Sequence, residues 1–186
     1  MTFVATRIVA ADACVLINLL ATRRAPELLD ALGWALVSTP QAAGQVTYLA
    51  GPPDEDGRAT KEPVSVSPLI ESRHLEIRTV PANALDVFVD LAAQIHEADA
   101  SSIALAAGMG VALATDDRLA RRLAAGLAPP VELIRTLAVV REATSQIGLA
   151  ADEIRLVARD LRLRGSFLPP RQDPDRAWYE SFLRLP

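Results

Sequence analysis

Cysteine and histidine are scarce in this chain of 186 residues, and their scarcity removes several kinds of site. The single cysteine, Cys14, excludes a disulfide framework and any zinc or iron–sulfur centre built from several thiolates. Two histidines, His74 and His96, are too few for a histidine-rich metal cage. A metal site in this protein must therefore rely on oxygen ligands.

Long apolar runs are also missing. No continuously apolar stretch reaches the roughly 18 residues that a membrane-spanning helix needs. The apolar N-terminal stretch at 8–21 contains Asp12 and Asn18 and follows no basic segment, which argues against a signal peptide. We expect a protein without a membrane span, located in the cytoplasm.

An excess of positive charge is absent as well. The formal net charge is -4, which argues against a protein that holds nucleic acid by bulk positive charge. Local basic patches remain compatible with contacts to a few phosphates. Hydrophobic residues are plentiful at 51%, enough for the core of one domain, with or without an appendage.

Short apolar segments alternate with helical patterns through the first 135 residues. Five segments of strand length lie at 6–11, 34–37, 75–80, 111–115 and 131–134. The helical patterns between them include 13–20, a helix led by Pro26 and stopped by Gly33, 82–95, 100–107 and 118–125. This alternation predicts an α/β fold, a three-layer sandwich with a central parallel sheet.

Three further segments complete the predicted organisation. The opening Ser38-Thr39-Pro40 predicts a helix over 41–49, and the polar stretch 51–63 predicts a mobile loop. After residue 135 the strand pattern stops, and 152–165 and the aromatic segment near the C-terminus read as helices. We predict an α/β domain over 1–136 and a helical C-terminal extension over 137–186 that packs on it.

Carboxylates follow two of the predicted strands. Asp12 comes directly after the first strand, and Asp116 and Asp117 come after the strand at 111–115. Glu97 and Asp99 open the helix that leads into that strand. The carboxyl ends of parallel strands share one edge of the sheet, and carboxylates that meet there repel one another unless a cation lies between them. Hard oxygen ligands select Mg²⁺ or Mn²⁺.

Helix capping is the competing explanation for the same residues. Asp12, Asp99 and Asp117 each stand just before a predicted helix, where Asp is a favoured N-cap that contributes about 1 kcal/mol. Capping accounts for each residue taken alone. The set of acids at one edge favours the metal interpretation.

At these residues the sequence resembles the PIN-domain nucleases. The resemblance covers roughly residues 6–136 and rests on IVAADACVLINLLA at 8–21, EADASSIALAAGMGVALATDD at 97–117 and RLARRLA at 118–124. It implies a PIN-like fold with Asp12, Asp99 and Asp117 as catalytic metal ligands and Asp116 as a helper. Asn18 and Thr115 are candidates for supporting contacts, and Glu97 is a further candidate.

One position departs from the family pattern. The family usually carries a further acid, normally Glu, on the helix after the second strand, and Gln45 stands there in this chain. A Gln carbonyl can ligate a hard cation but brings no negative charge. Glu97, Asp116 or Glu55 are the candidates that would supply the missing charge.

The resemblance also implies an activity. Similar proteins include the VapC-like toxin ribonucleases of bacterial toxin–antitoxin pairs, which points to hydrolysis of RNA by a metal-activated water. Arg118, Arg121 and Arg122 share one face of a predicted helix and are the candidate RNA contacts. The stripe of Arg155, Arg159 and Arg162 is a second candidate. The implied partners are an antitoxin protein and a second copy of the chain in a homodimer.

Two other function classes stay open from the sequence. Gln45 and the unusual tail favour a PIN-like module that is weakened or inactive in catalysis and binds RNA or protein. Phosphatases and phospho-receiver domains also place Asp at strand ends. The haloacid-type phosphatases need Asp-x-Asp where this chain has Asp12-Ala13-Cys14, and a receiver domain needs a lysine late in the sheet, whereas the only lysine is Lys61.

Overall fold

Five strands form a central parallel sheet, and two more form an antiparallel hairpin. The structure is a computed structural model that describes residues 5–184. The strands are β1 (Arg7–Ala11), β2 (Trp34–Ser38), β3 (Tyr48–Gly51), β4 (Thr60–Pro63), β5 (Leu75–Ile77), β6 (Ala112–Ala114) and β7 (Leu133–Ile134). The helices are α1 (Ala13–Ala21), α2 (Ala25–Leu32), α3 (Pro40–Ala43), α4 (Ser67–Glu71), α5 (Leu85–Ala92), α6 (Glu97–Met109), α7 (Arg118–Ala125), α8 (Thr136–Ile147), α9 (Ala151–Leu163) and α10 (Arg176–Leu183), with a 3-10 turn at Ala82–Ala84.

Strand β1 lies in the middle of the sheet, whose order is β5-β2-β1-β6-β7. It pairs in parallel with β2 and β6, and its register aligns Ala11 with Ala114. Successive residues of a strand face opposite sides, so Val9 and Ala11 enter one hydrophobic core and Ala10 enters the other. Helices cover both faces, and the predicted three-layer α/β fold is confirmed.

The C-terminal helices are part of one of these two cores. Leu137 and Val140 of α8 and Leu161 of α9 are fully buried beside Leu16 and Leu28 of α1 and α2. The other core lies under α5, α6 and α7. Between residues 5 and 184, no helix is both long and apolar enough to cross a membrane.

The chain between β2 and α4 differs from the prediction. Helix α3 ends at Ala43, so the predicted helix over 41–49 is wrong beyond its first turn. Gly44 and the β-branched Val46 and Thr47 disfavour a helix, and β3 pairs with β4 instead. Within the segment predicted as a loop over 51–63, residues 52–59 connect the two strands, whereas 60–63 form β4. We call the two strands and this connection the β3–β4 hairpin.

Helix α6 begins earlier than predicted. His96 is its N-cap, since His96 Nδ1 accepts a hydrogen bond from the backbone N of Ala98 at 3.3 Å. Asp99 consequently lies within the first turn and not at the cap position. Helix capping, which explained Asp99 from the sequence, does not account for it in the structure.

Candidate active site at the carboxyl edge of the sheet

The carboxyl ends of β1 and β6 bring the predicted aspartates to one edge of the sheet. Asp12 follows β1, and its backbone N donates a hydrogen bond to Ala114 O of β6 at 3.2 Å. Asp116 and Asp117 follow two residues further along the neighbouring strand. The parallel pairing of the two central strands therefore produces the acidic edge that the sequence pattern predicted.

Asp12 is almost completely buried, with 3% of its surface exposed. As the N-cap of α1, its Oδ1 accepts a hydrogen bond from Val15 N at 2.8 Å. The pKa of Asp12 is raised from 3.8 to about 6, mainly by burial and to a smaller extent by the charge of Asp116, against hydrogen bonds that lower it. Repulsion from Asp116 and the loss of hydration both disfavour the charged form of Asp12.

Cys14 lies against the same carboxylate. Its Sγ donates to Asp12 Oδ1 at 3.0 Å and to Oδ2 at 3.1 Å. Burial, together with the charge of Asp12, raises the pKa of the Cys14 thiol far above its usual range. The thiol stays protonated and acts as a hydrogen-bond donor to Asp12.

Thr115 connects Asp12 with Asp117. Its side chain is hydrogen-bonded to the Asp12 carboxylate, and its Oγ1 accepts a hydrogen bond from Asp117 N at 3.2 Å. Thr115 itself is fully buried. Asp117 is exposed and caps α7, where its Oδ1 accepts a hydrogen bond from Ala120 N at 2.7 Å. Thr115 therefore lies between the two aspartates.

Asp99 faces Asp117 from the first turn of α6. Its side chain is half-buried, and its pKa is raised by that burial and by the negative charge of Asp117, while His96 acts in the opposite direction. The three aspartates predicted as ligands are therefore neighbours in series, Asp12 next to Asp117 through Thr115, and Asp117 next to Asp99.

Asp116 points to a different set of partners. Its Oδ1 accepts a hydrogen bond from Thr136 N at 3.1 Å, and Thr136 Oγ1 is 3.3 Å from Asn18 Nδ2. Its Oδ2 is buried and has no hydrogen-bond partner within residues 5–184. Burial raises the pKa of Asp116, and the charge of Asp173 raises it further. Asn18 thus supports Asp116 through Thr136.

Asp173 is the acidic residue near this edge that sequence reasoning missed. It belongs to the C-terminal extension, its side chain is fully buried, and its Oδ2 lies 3.8 Å from Arg135 Nε. Its Oδ1 accepts a hydrogen bond from Asp175 N at 2.9 Å. No strand end or helix period marks Asp173 in the sequence. The only signal is its place between two prolines in a turn-rich segment.

Gln45 lies beside the first turn of α6. Its Nε2 is 3.2 Å from His96 Nδ1, three residues before Asp99. Glu97 is exposed in the same turn and accepts a hydrogen bond from Gln41 Nε2 at 3.3 Å. Glu55, also a candidate for the missing charge, is exposed in the turn of the β3–β4 hairpin.

The predicted RNA-binding arginines do not form one set. Arg118 and Arg122 are exposed on α7. Arg121 is half-buried, and its Nη1 donates to Thr115 O at 2.9 Å and to Ile134 O at 3.1 Å. This corrects the expectation that all three are available to RNA, because Arg121 is occupied in tying the ends of β6 and β7 together.

The second arginine stripe on α9 is partly occupied as well. Arg155 Nη1 pairs with Asp152 Oδ1 at 3.0 Å, whereas Arg159 and Arg162 are exposed.

The donor set fits a hard divalent cation held with few protein ligands. Within residues 5–184, no three His, Cys, Asp or Glu side chains form a ready-made metal cage. Mg²⁺ is commonly held by one or two carboxylates together with waters and a substrate phosphate. Asp99 and Asp117 are such a pair, and Asp12 stands behind them across Thr115.

Comparisons with known proteins agree with this geometry. A family model described as a PIN domain matches residues 8–172, which includes the acidic edge and most of the C-terminal extension. Neither the curated proteins nor the solved structures contain a match to this chain. The match extends beyond the span at 6–136 over which the sequence motifs suggested the resemblance. The chain belongs to the PIN-domain family, whose members are generally nucleases.

Proposed function

We propose that the protein is an endoribonuclease that depends on a divalent metal, Mg²⁺ or Mn²⁺, held at the acidic edge. The observation that carries this proposal is the series Asp12, Thr115 and Asp117 at the ends of β1 and β6, with Asp99 beside Asp117 from the first turn of α6. Asp99 is not a helix cap, so capping does not explain why a carboxylate stands beside Asp117.

Asp99 and Asp117 are the residues that would hold the ion, with Asp12 as the third acid. When bound, the ion would lower the pKa of a bound water and offset charge on the scissile phosphate. Asp12 and Asp117 are fixed by the backbone N–H groups of Val15 and Ala120. Cys14 supplies no nucleophile because its thiol is protonated.

RNA is the substrate that we propose for this site. Arg118 and Arg122 are exposed on α7, directly after Asp117, and are suited to contact phosphates next to the cleaved bond. The net charge of -4 limits nucleic-acid contacts to such local groups.

A cleavage assay with a matched control tests the proposal. Purified protein is incubated with a labelled RNA and Mg²⁺ or Mn²⁺, alongside Asp99→Asn and Asp86→Asn. Asp99→Asn should lose activity on the order of 100-fold or more. Asp86 is exposed at the start of α5. The turn before it is hydrogen-bonded to Gly108, at the opposite end of α6 from Asp99, so Asp86→Asn should cleave like the wild type. Equal cleavage by wild type and Asp99→Asn would mean that the activity resides elsewhere.

The toxin-like ribonucleases that the sequence resembles supply the remaining parts of the proposal. By that resemblance we propose a cytoplasmic protein that forms a homodimer and is inhibited by an antitoxin protein. An antitoxin would carry a basic side chain for the acidic edge, because Asp12, Asp99 and Asp117 form no salt bridge within residues 5–184.

A PIN-like module without catalytic activity is the second candidate function. Gln45 in place of an acid, and the use of Asp12 and Asp117 as helix caps, favour it. A metal that binds the folded chain raises its melting temperature. A Mn²⁺ titration followed by melting therefore separates the two functions. A rise in Tm that Asp99→Asn abolishes supports the nuclease, and an unchanged Tm supports the non-catalytic module.

A further inference from the structure

A pocket of about 450 Å³ lies between the β3–β4 hairpin, α1 and the end of α9. Its volume is within the range of small-ligand sites. The residues that give it chemical character are Tyr48 and Lys61 of the hairpin, Arg164 after α9, Ile17 of α1, and Gln45. The pocket unites an aromatic ring, two cations and an amide in one concave surface.

Tyr48 and Lys61 form a stacked pair on the hairpin. The Nζ of Lys61 lies 4.0 Å from the centroid of the Tyr48 ring, and 48% of Tyr48 is exposed. Lys61 is the only lysine of the chain, and it has no ion-pair partner in the described part. An exposed ring beside an unpaired ammonium is the combination that single-stranded nucleic acid uses, the ring for a base and the cation for a phosphate.

Arg164 fixes the floor of the pocket. Its Nη1 donates to Ala21 O at 2.7 Å, its Nη2 pairs with Glu62 at 2.9 Å, and its carbonyl accepts a hydrogen bond from Ala50 N at 2.8 Å. Its Nε is buried and has no hydrogen-bond partner within residues 5–184. The hairpin is thereby held against α9, and one buried donor of the pocket is unsatisfied.

The pocket adjoins the acidic edge. Gln45 lines it and reaches His96, the cap of the helix whose first turn carries Asp99. Ile17 lies on α1, the helix that Asp12 caps. Gln45 and α1 therefore connect the pocket with the acidic edge.

We propose that this pocket binds a nucleotide of single-stranded RNA adjacent to the cleaved bond. The base stacks on Tyr48, and Lys61 contacts its phosphate. The inference rests on the proposed function, since it names a subsite beside the same acidic edge. Base-paired RNA presents no free base to the ring, so the pocket selects single strands.

Binding in the absence of metal tests the pocket separately from catalysis. The full-length chain in EDTA is titrated into a fluorescein-labelled uridine decamer and into a duplex of equal length, and anisotropy gives Kd. Tyr48→Ala and Lys61→Ala should each raise the Kd for the decamer by about tenfold. Lys61→Ala should also reduce the slope of log Kd against log salt concentration by about one, the contribution of one phosphate contact. The duplex should bind more weakly than the decamer.

Conservative and matched variants control for folding. Tyr48→Phe keeps the ring and Lys61→Arg keeps the charge, so both should bind within about twofold of the wild type. Arg58→Ala removes a charge from the tip of the same hairpin, where Arg58 pairs with Asp56 outside the pocket, and should also bind normally. Equal melting temperatures show that the hairpin is intact.

The outcomes separate this inference from the nuclease proposal. If Tyr48→Ala and Lys61→Ala bind the decamer as the wild type does, or if the duplex binds as well as the decamer, the pocket inference is overturned. If the chain binds RNA through the pocket but cleaves nothing with Mn²⁺, the nuclease proposal fails and the pocket stands.

Discussion

Asp12 carries an unfavourable charge at the point where β1 meets α1. Burial raises its pKa from 3.8 to about 6, and no cation within residues 5–184 pairs with it. The rise corresponds to about 3 kcal/mol of destabilisation of the ionised folded state. This instability is what a site for a divalent ion would be expected to carry when the ion is absent.

Replacing Asp12 by Asn should therefore raise stability in EDTA at pH 7.5. An Asn side-chain oxygen still accepts the hydrogen bond from Val15 N, while the buried charge is removed. In the wild type, the folded carboxyl keeps its proton to a higher pH than the unfolded one. The free energy of unfolding should therefore fall as the pH rises from about 4 to about 6. Asp12→Asn should lack this fall in thermal melts over that window, and a lower Tm for Asp12→Asn at pH 7.5 would contradict the assignment.

Thr115 gives a second prediction at the scale of one residue. Its hydroxyl bonds the Asp12 carboxylate and accepts the N–H of Asp117, and it is completely buried. Thr115→Val keeps the shape but removes the hydrogen bonds to the Asp12 carboxylate and from Asp117 N, so the free energy of unfolding should drop by about 1–3 kcal/mol in urea titrations. Thr115→Ser keeps the hydroxyl and should lose less. Equal losses in the two variants would show that packing, and not the hydroxyl, holds this position.

The β3–β4 hairpin is the element that the sequence did not reveal. Thr39 and Pro40 begin a helix as predicted, but the helix ends before Gly44, and the chain that follows pairs as β3 with β4. Strands β3 and β4 have four residues each, which is too short for a recognisable sequence period. Their pairing depends on a contact between residues that are distant in the sequence. Elements with strong local signals, such as α7 after its Asp117 cap, were predicted to the residue.

Gly51, at the start of the hairpin turn, allows the two strands to approach closely because it has no side chain. A Cβ on Gly51 would lie 2.3 Å from Thr60 Oγ1, so Gly51→Ala should push the strands apart. We expect a loss of about 1–3 kcal/mol in stability and faster amide hydrogen exchange over 48–63. Adding Thr60→Ala removes the clashing hydroxyl and should restore much of the protection. No restoration in the double variant would mean that another contact sets the strand spacing.

The two-core construction of the molecule makes the C-terminal extension part of the fold. Leu137, Val140 and Leu161 share a core with α1 and α2. Asp173 lies close enough to Asp116 to raise its pKa. A chain truncated after Thr136 should therefore lose cooperative thermal unfolding, because the α1–α2 side of the sheet is uncovered. A truncated chain with a sharp melting transition would show that residues 1–136 fold as an independent domain.

The acidic edge was predictable from the sequence because the parallel strands of a sheet end at the same edge, however many residues separate them in the chain. Asp12 and Asp117 follow from that rule, and Asp99 lies beside Asp117 in the first turn of α6. The position of Arg121 against two backbone carbonyls, and the arrival of Asp173 from the extension, depend on tertiary packing and have no local signature.

The central claim is that the acidic edge holds a divalent ion. Anomalous diffraction from crystals soaked in Mn²⁺ measures this most directly, because the ion is located by its own signal. We predict a peak within ligand distance of the carboxylates of Asp99 and Asp117, which disappears in Asp99→Asn crystals. Manganese bound only at other positions, or no peak at saturating Mn²⁺, would contradict the claim.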